Sequence, residues 1–240
     1  MDRHAAFSAQ SIQLNPADDV TKYADKCNNP LLAQKQLNKL QFARQGTLLA
    51  LHTKLFINGL KSDTIICLLN DDVELLNKIL KDTNYSREQL KEMQYISTLL
   101  GAKACLKHVT KHYEFKLDRE ILNLALFSDK FSHIELDTIS GIVKPSFDSL
   151  RFAVQSGNPE LIKYLCIKYT LQPDAGHLLM AAMMNHTEMF HTLLGLGAQL
   201  STNTNQIKSI ATDMNNIEIL KTLEMEQNTS KQSKPQGNHY

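Results

Sequence analysis

The chain has 240 residues, 42% of them hydrophobic, with 26 basic side chains against 25 acidic ones and a net charge of +1. That apolar fraction can supply a core and argues against wholesale disorder, while the balanced charge leaves no global field for gripping nucleic acid or anionic lipid. Nine glycines, six prolines and no tryptophan disfavour a turn-rich β-sandwich or barrel.

From the amino terminus, Asp2, Arg3 and His4 have no apolar run behind them, so the start does not read as a secretory signal. No stretch reaches the roughly 18 apolar residues a membrane span needs. Cys27, Cys67, Cys105 and Cys166 are far apart with no C-x-x-C pair, and the last three sit in apolar helical patterns. These features predict a soluble, cytoplasmic protein with reduced cysteines. Residues 1–29 read as a polar segment with a turn or helix start at Asn15-Pro16. Asn29-Pro30 is a helix start, with Asn as cap and Pro at the first helical position. Leu37, Leu40, Leu48, Leu51, Leu55 and Leu60 then form one apolar stripe, predicting a helical cap over 30–61. Ser62 or Asp63 can open the next helix. At the far end, 227–240 is polar without an apolar period and is predicted to be a disordered tail.

Between these ends the chain repeats. Gly157, Asn185 and Asn215 each have Ala four residues before them (Ala153, Ala181, Ala211) and Glu three after (Glu160, Glu188, Glu218). An apolar residue follows at the fourth position (Leu161, Met189, Ile219) and Leu at the eighth (Leu165, Leu193, Leu223). Looser copies have anchors at Asp71, Gly101 and Asp129, so the spacings are 30, 28, 28, 28 and 30. In the Asp129 copy the second helix fits only after a one-residue shift, which puts Ile134 in the place of Leu161. The column has a physical logic: a small residue lets the neighbouring unit come close. Gly or Asn at the anchor accommodates a left-handed backbone that ends one helix and turns into the next. A two-helix unit too thin to bury its own apolar face must stack on copies of itself.

This pattern resembles the ankyrin repeat, most closely in Leu193-Leu-Gly-Leu-Gly-Ala-Gln-Leu200, which is similar to that family's second-helix ending. The family's Thr-Pro-Leu-His start is absent, and the units are shorter than its period of about 33. The expected fold is therefore all-α: an ankyrin-like α-solenoid of stacked helix-turn-helix repeats over 62–226, with stubby or missing β-turns and an N-terminal helical cap. The resemblance implies a non-enzymatic module that binds a partner protein on the concave face of the stack. Its partner-facing positions, the two residues before each anchor, are here Phe127 and Ser128, Gln155 and Ser156, Met183 and Met184, and Asp213 and Met214. The composition, rich in Asn, Gln, Lys and Ile, is similar to that of small ankyrin proteins that intracellular bacteria deliver into host cells, so a bacterial effector acting in a host cytosol is one expectation.

Chemistry-bearing motifs are few. Gly195-Leu-Gly197 follows a helix and lacks a third glycine, so it reads as a helix end. Cys105, His108 and His112 share one helical face and form the alternative reading: an enzyme or metal-binding protein built on the N-terminal half, with the repeats as a targeting arm. Against it, Cys105 occupies an inward apolar slot and Lys107 and Lys111 would repel a cation. His186, just after its anchor, is expected to tie the turn by hydrogen bonding. Asp18-Asp19 and Asp71-Asp72 read as caps rather than an acid/base pair. No catalytic residue, metal site or cofactor is assigned.

Overall fold

The computed structural model describes residues 62–200 and 203–232. The polar segment predicted for 1–29 and the cap predicted for 30–61 lie outside the described residues. Among those residues there are twelve helices and no strand: α1 (Ser62–Asn70), α2 (Val73–Asp82), α3 (Arg87–Leu100), α4 (Lys103–His112), α5 (Arg119–Ser128), α6 (His133–Ile142), α7 (Phe147–Ser156), α8 (Pro159–Tyr169), α9 (Ala175–Met183), α10 (Thr187–Gly195), α11 (Thr204–Asp213) and α12 (Ile217–Gln232). They form six hairpins. The first helices pack in order, α1 on α3, α3 on α5, and so on to α9 on α11, and each also packs on the second helix of its own hairpin. Second helices touch along the same direction, α2 with α4, α8 with α10 and α10 with α12. The packing is that of a helical repeat.

Local chemistry sets the helix starts. The Asp72, Asp118 and Asn158 side chains each accept a backbone N–H from the first turn of their helix, and Pro159 begins α8 where its missing N–H costs nothing. Ser86 with Gln89 and Ser132 with Glu135 form reciprocal capping boxes.

All six predicted anchors are left-handed: Asp71, Asp129, Asn185 and Asn215 have φ between 52° and 55°, Gly101 72° and Gly157 77°. At Asp71, Gly101, Asn185 and Asn215 the next N–H reaches back to the carbonyl of Cys67, Ser97, Ala181 or Ala211, closing the helix. Units three and four insert a hydroxyl into that link. The Lys130 N–H donates to Ser128 Oγ, which donates to the Ala125 carbonyl, and Asn158 N–H, Ser156 Oγ and the Ala153 carbonyl repeat the relay. Four residues before the anchors stand Cys67, Ser97, Ala125, Ala153, Ala181 and Ala211, every one buried. This small-residue column extends the alanines seen in sequence to all six hairpins, and it lets adjacent first helices approach.

Each of the first five anchors also touches the following unit. Asp71 accepts the Ala104 and Cys105 N–H groups at 3.0 and 2.8 Å, capping α4, whose own cap residue Ala102 has no side-chain acceptor. A methyl group on Gly101 would lie 2.5 Å from Lys130 Cβ, and one on Gly157 2.7 Å from His186 Cε1. Asn158 donates to Asp129 and Asn216 to Asn185, both at 2.6 Å. All five junctions therefore carry a contact between an anchor and the start of the next second helix, polar where the anchor has a side chain and steric where it is glycine.

Two expectations are corrected. In the third hairpin the second helix starts two residues late, with Ser132 as cap rather than Lys130. Leu136 and Ile139 are therefore the buried pair, and Ile134 is 78% exposed instead of taking the place of Leu161. Phe131, in the inserted step, packs against the core. At the C-terminus, α12 continues to Gln232, past the expected boundary at 226. Once a helix is nucleated, residues such as Glu226, Gln227 and Lys231 extend it at little cost.

Candidate functional site

The eight predicted partner-facing residues divide by burial. Ser128 is fully buried, Phe127 is 3% exposed and Gln155 7%, so these three belong to the packed interior rather than to a docking face. Ser156 is half-buried, with its hydroxyl engaged in closing α7. Met184 is half-buried, whereas Met183 (52%), Met214 (49%) and Asp213 are exposed. Position by position, the register that buries Leu99, Phe127 and Gln155 two residues before their anchors opens to solvent at Met183 and Asp213. Helices α9 and α11 pack side by side, which brings Met183, Met184 and Met214 to one edge. Ile217, 56% exposed at the start of α12, follows Met214 across the Asn215 turn. Methionine side chains are unbranched and polarisable, so an exposed strip of them adapts to an apolar partner.

The second constellation comes apart on folding. Cys105 is fully buried with Sγ directed at the Cys67 carbonyl, and burial pushes its thiol well above the ordinary range. His108 and His112 lie on the outside of α4 with rings stacked 5.5 Å apart. Among the described residues, no group of three or more His, Cys, Asp or Glu is arranged to hold a metal ion. His108 is half-buried and its Nε2 has no hydrogen-bond partner among the described residues. Burial, with the neighbouring His112, holds its pKa below the usual imidazole value. An open groove of about 530 Å³ runs beside this face, lined by Val73, Ala104, Lys107, His108, Lys111 and His112.

The remaining motif residues, and His191 on α10, are structural. His186 closes α9 through its backbone N–H to the Ala181 carbonyl. Its ring, expected to hydrogen-bond, instead leaves Nδ1 buried and unpartnered and packs on Gly157. His191 Nε2 lies 3.0 Å from Thr222 Oγ1 on α12. Gly197, at φ 94°, is the left-handed residue of the Gly-Leu-Gly turn. Cys67 and Cys166 are buried thiols pushed up to about 12 and about 11 by desolvation, hence inert as nucleophiles.

Two polar clusters were not anticipated. Asp137 on α6 receives the Tyr164 and Tyr169 hydroxyls and pairs with Lys168 at 2.5 Å, while His133 stacks on Tyr164 with centroids 4.0 Å apart. The Lys168 and Tyr164 bonds lower the Asp137 pKa and tie α6 to α8. His177, 1% exposed, has Nδ1 2.7 Å from Asp174 Oδ1, Phe147 edge-on above it and Nε2 unpartnered. Its signal in sequence was Asp174-x-x-His177 at a helix start, a capping spacing. No described helix is long and apolar enough to cross a membrane. No protein-family model matches the chain, no curated protein matches its sequence, and no solved structure matches its fold.

Proposed function

We propose that the chain is a non-enzymatic, ankyrin-like interaction module that holds a partner protein on the edge formed by the last two hairpins. The observation that carries this reading is the exposure of Met183 and Met214, with Ile217 just past the Asn215 turn, where the counterparts of Met183 at Leu99, Phe127 and Gln155 are buried. Support for the ankyrin-like arrangement comes from six left-handed anchors at spacings of 28 to 30 and from the small-residue column behind them. Apolar side chains left at a helix edge gain roughly 25 cal/mol per Å² when a partner covers them. The core of the binding edge is therefore Met183, Met184 and Met214, with Asp213 at its rim. Action in a host cytosol after bacterial delivery belongs to the same proposal. It rests on composition, and a translocation reporter fused to the chain tests it.

The test is affinity capture from lysate with the wild type and with the Met183→Glu/Met214→Glu variant. A partner held by the wild type and lost by the variant, with identical circular dichroism, supports the reading. Equal capture by both removes the methionine edge from consideration.

A further inference from the structure

The groove beside α4 belongs to the first two hairpins, away from the methionine edge of the last two. It is bordered at its start by Val73 and Ala104, two and three residues after the anchors of the first and second hairpins. Lys107, His108, Lys111 and His112 border the rest. From Ala104 to His112 the helix rises about 12 Å, so the groove is apolar at one end and nitrogen-rich at the other. No carboxylate lines it among the described residues. Asp71, the nearest anchor acid, is already spent on the Ala104 and Cys105 N–H groups, and Asp72 on that of Leu75.

Lys103, one turn before Lys107, pairs with Glu135 at 2.7 Å. Lys107 and Lys111 make no ion pair among the described residues. The Nε2 of His108 is likewise without a hydrogen-bond partner among the described residues, and because it is buried a ligand reaches it when the ring turns toward the groove. A buried polar nitrogen without a partner costs free energy until something bonds to it. The two ammonium groups oppose a metal cation at the histidine pair and favour an anion.

We infer that this groove binds a small organic phosphate, with the phosphate among Lys107, His108, Lys111 and His112 and the organic portion against Val73 and Ala104. Lysine meets phosphate as a point charge, and charge-assisted bonds from two lysines and two imidazoles match a group carrying nearly two negative charges. The groove volume lies in the range of small-molecule pockets and far exceeds what inorganic phosphate fills.

The experiment uses the full chain at 0.15 M salt, with phenyl phosphate, inorganic phosphate, phenol and zinc as separate titrants and the histidine ring resonances as readout. Saturable shifts of His108 and His112 with phenyl phosphate are expected, with weaker affinity for inorganic phosphate and none for phenol. Lys107→Gln/Lys111→Gln should weaken phenyl phosphate about tenfold or more, and Met183→Glu should leave it unchanged. These side chains border a surface groove, so matching thermal melts confirm that the variants are folded. Non-saturable shifts, or equal affinity in the lysine variant, overturn the inference. So does a histidine pair that responds to zinc and not to phenyl phosphate.

Discussion

Gly157 sits where two demands meet: a backbone at φ 77° and a His186 ring against its α-carbon. Substituting alanine imposes two separable costs. The left-handed backbone costs an L-residue about 1–2 kcal/mol. The new methyl would stand 2.7 Å from His186 Cε1, closer than real carbon contacts come, and 3.0 Å from Nδ1, at their tight limit, and overpacking of this kind costs about 1–3 kcal/mol. Gly157→Ala should therefore destabilise the protein by about 2–5 kcal/mol. In a His186→Ala background the ring is gone, and the same substitution should cost only the backbone share of about 1–2 kcal/mol. Urea denaturation of the four proteins in the double-mutant cycle, followed by circular dichroism, measures the difference. Equal costs of Gly157→Ala in both backgrounds would refute the idea that the ring seals the junction between the fourth and fifth hairpins.

Asp71→Ala removes the cap that α4 lacks for itself and puts alanine at φ 54°, so a loss of about 1–3 kcal/mol is expected by denaturation, with Asp71→Asn retaining much of the stability. In the third hairpin Leu136→Ala should cost about 2–5 kcal/mol and Ile134→Ser less than about 0.5; the reverse ranking would restore the one-residue register. Ala181→Leu should destabilise by about 1–3 kcal/mol or more, because its column is where first helices meet; a neutral result in thermal melts would mean the column does not set their spacing. Burial lowers the His177 pKa below its unfolded value, so between those two values the unfolded chain holds more protons than the folded one. Stability should then fall as pH drops below about 6.5 and level off beneath the folded value. His177→Gln should flatten that slope, and an unchanged slope in pH-dependent melts would exclude His177 as its source.

The six anchors were legible in the sequence because a left-handed backbone is a local demand. Gly and Asn meet it cheaply, so residue type marked Gly101, Gly157, Asn185 and Asn215, while Asp71 and Asp129 were marked by their place in the repeat. The alanines at 153, 181 and 211 were legible for the same reason: close approach restricts side-chain size whatever the neighbour is. Ser97 and Cys67 in the same column were not, since neither declares smallness as its role. The third hairpin misled because a two-residue step between anchor and cap shifts the apolar phase, and Ile134 looks as buriable as Leu136 until the helix start is placed.

Of the eight residues assigned to the partner-facing edge, the structure leaves Met183, Asp213 and Met214 exposed, with Met184 and Ser156 half-buried, and encloses Phe127, Ser128 and Gln155. Sequence determined the repeat, its hinges and the alanines of its last three units, each written in residue type at a fixed place in the unit. Tertiary structure decided which copies of a position face solvent and which nitrogens around α4 remain without partners among the described residues. Those outcomes depend on atoms supplied by other hairpins, and no residue encodes its neighbour's surface.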